Sequence, residues 1–340
     1  LSLADISDMD INWPVHLCVG NVVHQLLFGH FIKHNNSTQM RYYQDLIEDA
    51  MVKVRSSPFV PLVQAYPWTM HLPVIGWRGY GEMRSVALEL IAYVDGEIER
   101  HKKALESADA DDEPRTLVDA YLREMRRREQ SGEMASFSRD NLVNVATDLW
   151  LAGMETAATS VRWGLLLLVA HPQVQERLFA EIERVIGRRR VAMADRLQMP
   201  YAAAVIYEIQ RVANVVTFNV LRKTFRDDDI FGKRIPAGTT ILPQICTVMA
   251  DDAVFEDAEK FSPDRFLDHS HSPPTLIREH TEKVVAFSMG RRQCAGESLA
   301  RVELFLVLLS MVQRFRLSAA SSQPTPPSLE PVFGILQTPE

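Results

Sequence analysis

From Ser138 to Ala170 the chain runs without a proline, and its apolar residues keep helical spacing until Pro172. Ser138 is a good N-cap, and Pro172 forces a break. At 1.5 Å per residue such a helix is about 50 Å long, enough to cross a whole domain. The rest of the chain must be arranged along it.

Most of that remainder also reads as helix. Apolar residues recur at mixed helical spacing from Asp5 to His30, and further helices are predicted over Tyr42–Val54, Tyr80–Ala108, Thr116–Gln130, Gln173–Ile186, Ala202–Asn214 and Gly296–Phe315. Ser56–Trp77 is broken by Pro58, Pro61, Pro67 and Pro73, so it reads as loop or short helix. Asp109–Arg115 reads as an exposed acidic turn, and Arg126-Arg127-Arg128 as a solvated face. Strand signals are confined to Val215–Phe231 and Ile235–Ile245, with Pro236-Ala237-Gly238 as the turn, and the Pro- and Ser-rich tail suits a final hairpin. The expected class is mainly α with a minor β portion, in one domain over 1–340. A 340-residue chain with 46% hydrophobic and 24% charged residues can bury a sizeable core. The net charge of −7 argues against bulk nucleic-acid binding. Cys18, Cys246 and Cys294 are the three cysteines, an odd and sparse set that fits a reducing compartment. The sequons at Asn35 and Asn36 then read as decoys. No apolar stretch is long enough to span a bilayer.

Near the C-terminus stands Phe287-Ser288-Met289-Gly290-Arg291-Arg292-Gln293-Cys294-Ala295-Gly296, the pattern F-x-x-G-x-R-x-C-x-G. The apolar run after Cys294 (Leu299, Val302, Leu304, Phe305, Leu306) has helical spacing. It places the sulfur beside a helix N-terminus, where the dipole favours a thiolate. Gly290 and Gly296 allow a tight turn and a close approach of backbone to a ligand. A lone cysteine would more simply be a buried, inert one; five fixed positions around it favour a ligand loop. On this loop (287–296) the chain resembles the cytochrome P450 family of haem-thiolate enzymes, most of all its animal microsomal branch.

The resemblance implies that Cys294 is the axial ligand of haem b iron. Arg292 would reach a haem propionate, and Phe287 would pack against the loop and keep it dry. Ala152-Gly153-Met154-Glu155-Thr156, in the middle of the 138–170 helix, resembles the family's A/G-G-x-D/E-T signature. There Gly153 would leave room for dioxygen, and Glu155 and Thr156 would relay protons; a mid-helix Gly and Thr with packing roles is the alternative. Relatives often carry a second hydroxyl where Ala157 stands. Glu208-Ile209-Gln210-Arg211 is E-x-x-R, and Phe261-Ser262-Pro263-Asp264-Arg265-Phe266 is similar to the family's P-E-R-F segment, with Asp264 for the usual Glu. Glu208, Arg211 and Arg265 would form a buried structural network. Arg222 stands where relatives carry a His or Arg near a propionate, or else is a strand-edge surface arginine. Val215–Phe218 would line the substrate side of the haem, and Pro67–Pro73 resembles a mobile roof that also touches the membrane.

The implied activity is a monooxygenase. It would insert one atom of dioxygen into a lipophilic small molecule, with electrons from NADPH-cytochrome P450 reductase docked near Lys283, Arg291 and Arg292. The family's N-terminal third, with its membrane anchor and a W-x-x-x-R propionate grip, is not found. The chain is therefore expected to be a piece of a longer protein at the cytosolic face of the endoplasmic reticulum membrane. The alternatives are an isomerase or dehydratase of the same fold, against which Glu155-Thr156 speaks, and a truncated non-catalytic chain.

Overall fold

The computed structural model describes residues 9–34, 37–106, 113–132, 137–320, 327–332 and 336–339. Asn35 and Asn36, and Asp109 to Asp112 of the expected acidic turn, lie outside the described residues. Contacts divide the chain into two compact units, one of residues 10–158 and one of residues 159–340 with 1–9.

The 10–158 unit is helical among its described residues. It holds α1 (Asn12–Phe28), α2 (Thr38–Ser56), α3 (Phe59–Ala65), α4 (Pro73–Gly76), α5 (Glu82–Glu106), α6 (Leu117–Ser131) and the first part of α7 (Arg139–Ala170). Ser138 Oγ accepts the Asn141 N–H at 3.2 Å, and Thr116 Oγ1 accepts the Asp119 N–H at 3.0 Å, so both helices start on hydroxyl caps. The core is aromatic at its centre: Tyr93 lies 4.5 Å from Tyr43 and 5.2 Å from Trp150, ring to ring. Two glycines bring α1 close to its neighbours. A Cβ on Gly20 would fall 2.2 Å from Met40 Cε, and one on Gly153 would fall 3.0 Å from Val23 Cγ2. The prolines expected to break Ser56–Trp77 divide it into α3, a 3-10 turn at Pro67–His71, and α4. Trp68, Val74 and Trp77 stay exposed there.

The 159–340 unit contains the rest of α7, then α8 (Pro172–Val185), α9 (Pro200–Ala213), α10 (Ile245–Met249), α11 (Arg278–Glu282) and α12 (Glu297–Arg314). Pro172 does more than stop α7: Pro172 and Pro200 each open a helix, where the missing N–H costs nothing. Glu181 of α8 accepts the N–H groups of Tyr201 and Ala202 at 3.1 and 2.7 Å, serving the α9 N-terminus. Gly164 of α7 faces Leu308 of α12 so closely that a Cβ would lie 2.9 Å from it.

The described strands are β1 (Arg222–Lys223), β2 (Asp228–Ile230), β3 (Lys233–Ile235), β4 (Thr240–Ile241), β5 (Leu267–Asp268), β6 (Thr275–Leu276), β7 (Pro331–Val332) and β8 (Thr338–Pro339). They pair antiparallel as β1–β4, β2–β3, β5–β6 and β7–β8. Two long strands hinged at Pro236-Ala237-Gly238 were expected; the structure has four short ones there. The β2–β3 hairpin reverses at Phe231 and Gly232, both at positive φ (52° and 76°), as a two-residue hairpin turn demands. Pro236-Ala237-Gly238 instead joins β3 to β4. Among the described residues no helix is long and apolar enough to cross a membrane.

Candidate functional site

The cysteine loop runs from the end of α11 to the start of α12. Ser288 (φ 64°) and Gly290 (φ 78°) both take left-handed backbone, and Gly290–Arg292 forms a 3-10 turn. The Cys294 N–H donates to Phe287 O at 2.9 Å, closing the loop, and the Ala300 N–H donates to Gly296 O at 2.9 Å, opening α12. Cys294 is thus held, exposed, just ahead of a helix N-terminus. A Cβ on Gly290 would meet nothing within 4 Å.

One expectation for this loop needs correction. Gly296 sits at φ −91°, where any residue fits, and a Cβ there would meet only Cys294 Sγ, at 3.9 Å. The turn therefore depends on Gly290 and the strained Ser288. Phe287 packs toward α12. Its ring lies under the Arg301 guanidinium at 5.2 Å, and Arg301 also pairs with Glu297 at 2.9 Å. Phe287 fastens the loop to α12.

The segment before β1 lies against this loop. Asn219 Nδ2 donates to Ser288 Oγ at 2.5 Å, and Arg222 Nη2 donates to Arg292 O at 3.5 Å. Arg222 and Arg292 are therefore neighbours. The Val215–Phe218 stretch splits: Val215 and Thr217 are buried, while Phe218, with Val220 and Leu221 beyond it, is exposed. Lys283 is spent on an ion pair with Glu279 at 3.2 Å, so Arg291 and Arg292 are the cations left of the expected docking patch. The donor set fits an iron porphyrin: a thiol for iron, two guanidiniums for carboxylates, open space over Gly290, and exposed apolar side chains for a flat ring.

On α7 the signature residues point in different directions. Consecutive helix residues are about 100° apart, so neighbours do not face one another. Thr156 Oγ1 donates to Ala152 O at 2.7 Å and is only partly buried, and Ala152 is exposed. Glu155 turns inward to α1, where its Oε2 lies 3.5 Å from His16 Nε2. Glu155 and Thr156 thus form no direct relay. Gly153 accommodates Val23 of α1, which makes it a packing glycine. His16 escaped the sequence reading; a histidine inside the apolar run of α1 was its only signal.

Glu208, Arg211 and Arg265 meet. Arg211 donates to both Glu208 oxygens, Nε to Oε2 at 2.8 Å and Nη2 to Oε1 at 2.9 Å, and Arg265 Nε donates to Oε1 at 3.1 Å. The Ser262 N–H adds a fourth bond at 2.8 Å. The arginines spend their remaining N–H groups on carbonyls: Arg211 on Met249 and Lys260, Arg265 on Glu256, Asp257 and Lys260. Glu208 is wholly buried, and this saturation is what a buried charge requires. Asp264 lies outside the cluster, in a bidentate pair with Arg177 at 2.6 and 3.0 Å.

The family model for cytochrome P450 matches residues 3–340. Among curated proteins the chain is 38% identical to cytochrome P450 2D4 of Rattus norvegicus over 94% of its own length and 61% of the relative's. It is 36% identical to cytochrome P450 2D6 of Homo sapiens, over 94% and 62%, and 37% identical to cytochrome P450 2C70 of Mus musculus, over 87% and 58%. The chain spans about six-tenths of the length of these relatives. With a family model matched from end to end and a helical fold that carries its cysteine on a glycine-turned loop ahead of α12, the chain belongs to the cytochrome P450 family.

Proposed function

We propose that the protein is a haem-thiolate monooxygenase acting on a lipophilic small molecule. The observation that carries this reading is Cys294: an exposed thiol ahead of the α12 N-terminus, in a loop turned by Gly290 and flanked by Arg222 and Arg292. Family members bind haem through a cysteine thiolate. When bound, haem supplies the redox chemistry that sends one atom of dioxygen to substrate and the other to water.

The chain's own residues would do the rest. The α12 N-terminus stabilises negative charge on Cys294 Sγ. Arg222 and Arg292 hold the propionates, and Phe218, Val220 and Leu221 offer apolar surface. Thr156 Oγ1, now bonded to Ala152 O, turns outward to hold a proton at its oxygen. Glu155, paired with His16, holds the inner side of α7 against α1. An NADPH-dependent flavoprotein reductase would dock by charge on Arg291 and Arg292. Trp68, Val74 and Trp77 would touch the endoplasmic reticulum membrane, at whose cytosolic face the parent protein would sit.

The test is the absorbance of the reduced, CO-bound protein. A thiolate-type Soret band is expected in the parent and lost in Cys294→Ala, with helical content largely kept. An unchanged band in the variant would remove Cys294 from the iron.

A further inference from the structure

α1 ends at Phe28, and Gly29, at φ 72°, reverses the chain. His30 thereby returns to the last turn of α1, where its ring meets that of His24 edge to face, centroids 4.6 Å apart. Glu97 of α5 completes the group. His30 Nε2 lies 3.8 Å from Glu97 Oε2, and one donor atom from each of the three residues lies within 4.8 Å of the others.

The ring nitrogens are already sorted. His24 Nδ1 lies 3.0 Å from His30 O, and His30 Nδ1 lies 3.1 Å from Phe28 O. A carbonyl oxygen only accepts, so both Nδ1 atoms carry the hydrogen. In the neutral rings each Nε2 then presents a lone pair. This is how histidine is oriented for a metal, with the outer nitrogen tied to the backbone. Glu97 is 2% exposed at its side chain; Oε1 receives Arg100, but Oε2 is buried with no hydrogen-bond partner. A lone-pair nitrogen facing a bare carboxylate oxygen calls for positive charge between them. A proton would satisfy His30 and Glu97 alone; a metal ion would engage His24 as well, in place of its contact with Tyr93 OH.

We propose that His24 Nε2, His30 Nε2 and Glu97 Oε2 bind a divalent ion of the zinc class at the C-terminus of α1. Two imidazoles and one carboxylate suit zinc and its transition-metal neighbours better than magnesium or calcium, which prefer oxygen alone. The helix C-terminus favours a cation. His30, 48% exposed at its side chain, leaves an entry path and a fourth position for water. Tyr93 OH, now 3.0 Å from His24 Nε2, must give up that bond. Its O–H can then turn toward another acceptor. His101 is outside the set because both its nitrogens are engaged, by Asp119 and by Phe28 O. The bound ion would pin the end of α1 to α5.

The test titrates zinc alone into the chelator-stripped 340-residue chain against a chromophoric chelator, with thermal unfolding read in parallel. One zinc per chain and a higher Tm with zinc are expected. His30→Gln, at a half-exposed side chain, should weaken zinc binding more than about 100-fold while leaving the metal-free Tm in place. Glu97→Gln should lose zinc to the same degree, and His71→Gln, at an exposed site on another segment, should change nothing. No stoichiometric zinc in the parent, or equal binding in the parent, His30→Gln and Glu97→Gln, would overturn the site.

Discussion

Glu155 Oε2 stands 3.5 Å from His16 Nε2 in the interior of residues 10–158, and the His16 side chain is 2% exposed. His16 Nδ1 faces Asn12 O at 2.9 Å and so must carry a hydrogen. Nε2 is therefore the ring nitrogen that faces the carboxylate. Glu155 Oε1 is buried without a hydrogen-bond partner, so Glu155 meets His16 through Oε2. Removing either member takes a buried polar contact from the other. Glu155→Ala is expected to cost about 3–5 kcal/mol. In a double-mutant cycle with His16→Phe, measured by urea unfolding, the two effects should fail to add by at least about 1 kcal/mol. Strict additivity would show that the two side chains do not interact.

Thr156 is a different kind of residue, although it follows Glu155 directly. Its hydroxyl donates within its own turn, to Ala152 O, and the side chain is only partly buried, so Thr156→Ala should cost far less stability than Glu155→Ala. In a reductase-supported assay of a full-length version, product formation should fall by roughly 10²-fold while NADPH is still consumed and peroxide appears. Thr156→Ser should restore coupling. Ala157 is 3% exposed and buried toward the core, so no hydroxyl at the next position can take over. Unchanged coupling in Thr156→Ala would reduce the residue to packing.

Glu208 is the shared acceptor of two arginines and one backbone N–H, with no exposure of its own. Glu208→Ala should strand Arg211, whose side chain is 2% exposed, at a cost of about 3–5 kcal/mol. Arg265→Ala should cost less, because its side chain is 11% exposed and water can reach the gap. Soluble yield and urea midpoint of the two alanine variants order them. Normal stability in Glu208→Ala would be incompatible with this geometry.

Much of this was legible in the sequence, and the parts that were not share a cause. Helices announce themselves through local periodicity and caps: Ser138 and Pro172 bracket α7, and Thr116 caps α6. E-x-x-R places Glu208 and Arg211 on one face because i and i+3 are neighbours on a helix. Partners brought by the fold leave no such mark. Nothing local reveals that Glu155 meets His16, that Val23 fills the space beside Gly153, or that Phe287 rests on Arg301. The hairpin was misplaced because Pro236-Ala237-Gly238 carries the stronger turn composition, while Phe231 adopts a positive φ that its side chain disfavours.

Glu303 of α12 supplies the pH dependence. It is 5% exposed, its Oε1 has no hydrogen-bond partner, and burial pushes its pKa up from 4.5 to about 7. A carboxyl held above its unfolded value binds its proton more tightly in the folded state. Its contribution to stability is therefore complete below about 4.5 and is lost as the pH rises through about 7. Across that window the loss amounts to about 3 kcal/mol. Glu303→Gln replaces the acid O–H by an amide donor that does not titrate. The variant should be more stable than the parent by about 2–3 kcal/mol at pH 8, and the gap should narrow as the pH falls toward 5. Urea unfolding at several pH values measures both slopes. Parallel slopes in parent and variant would mean that Glu303 is solvated and ionised like a surface carboxylate.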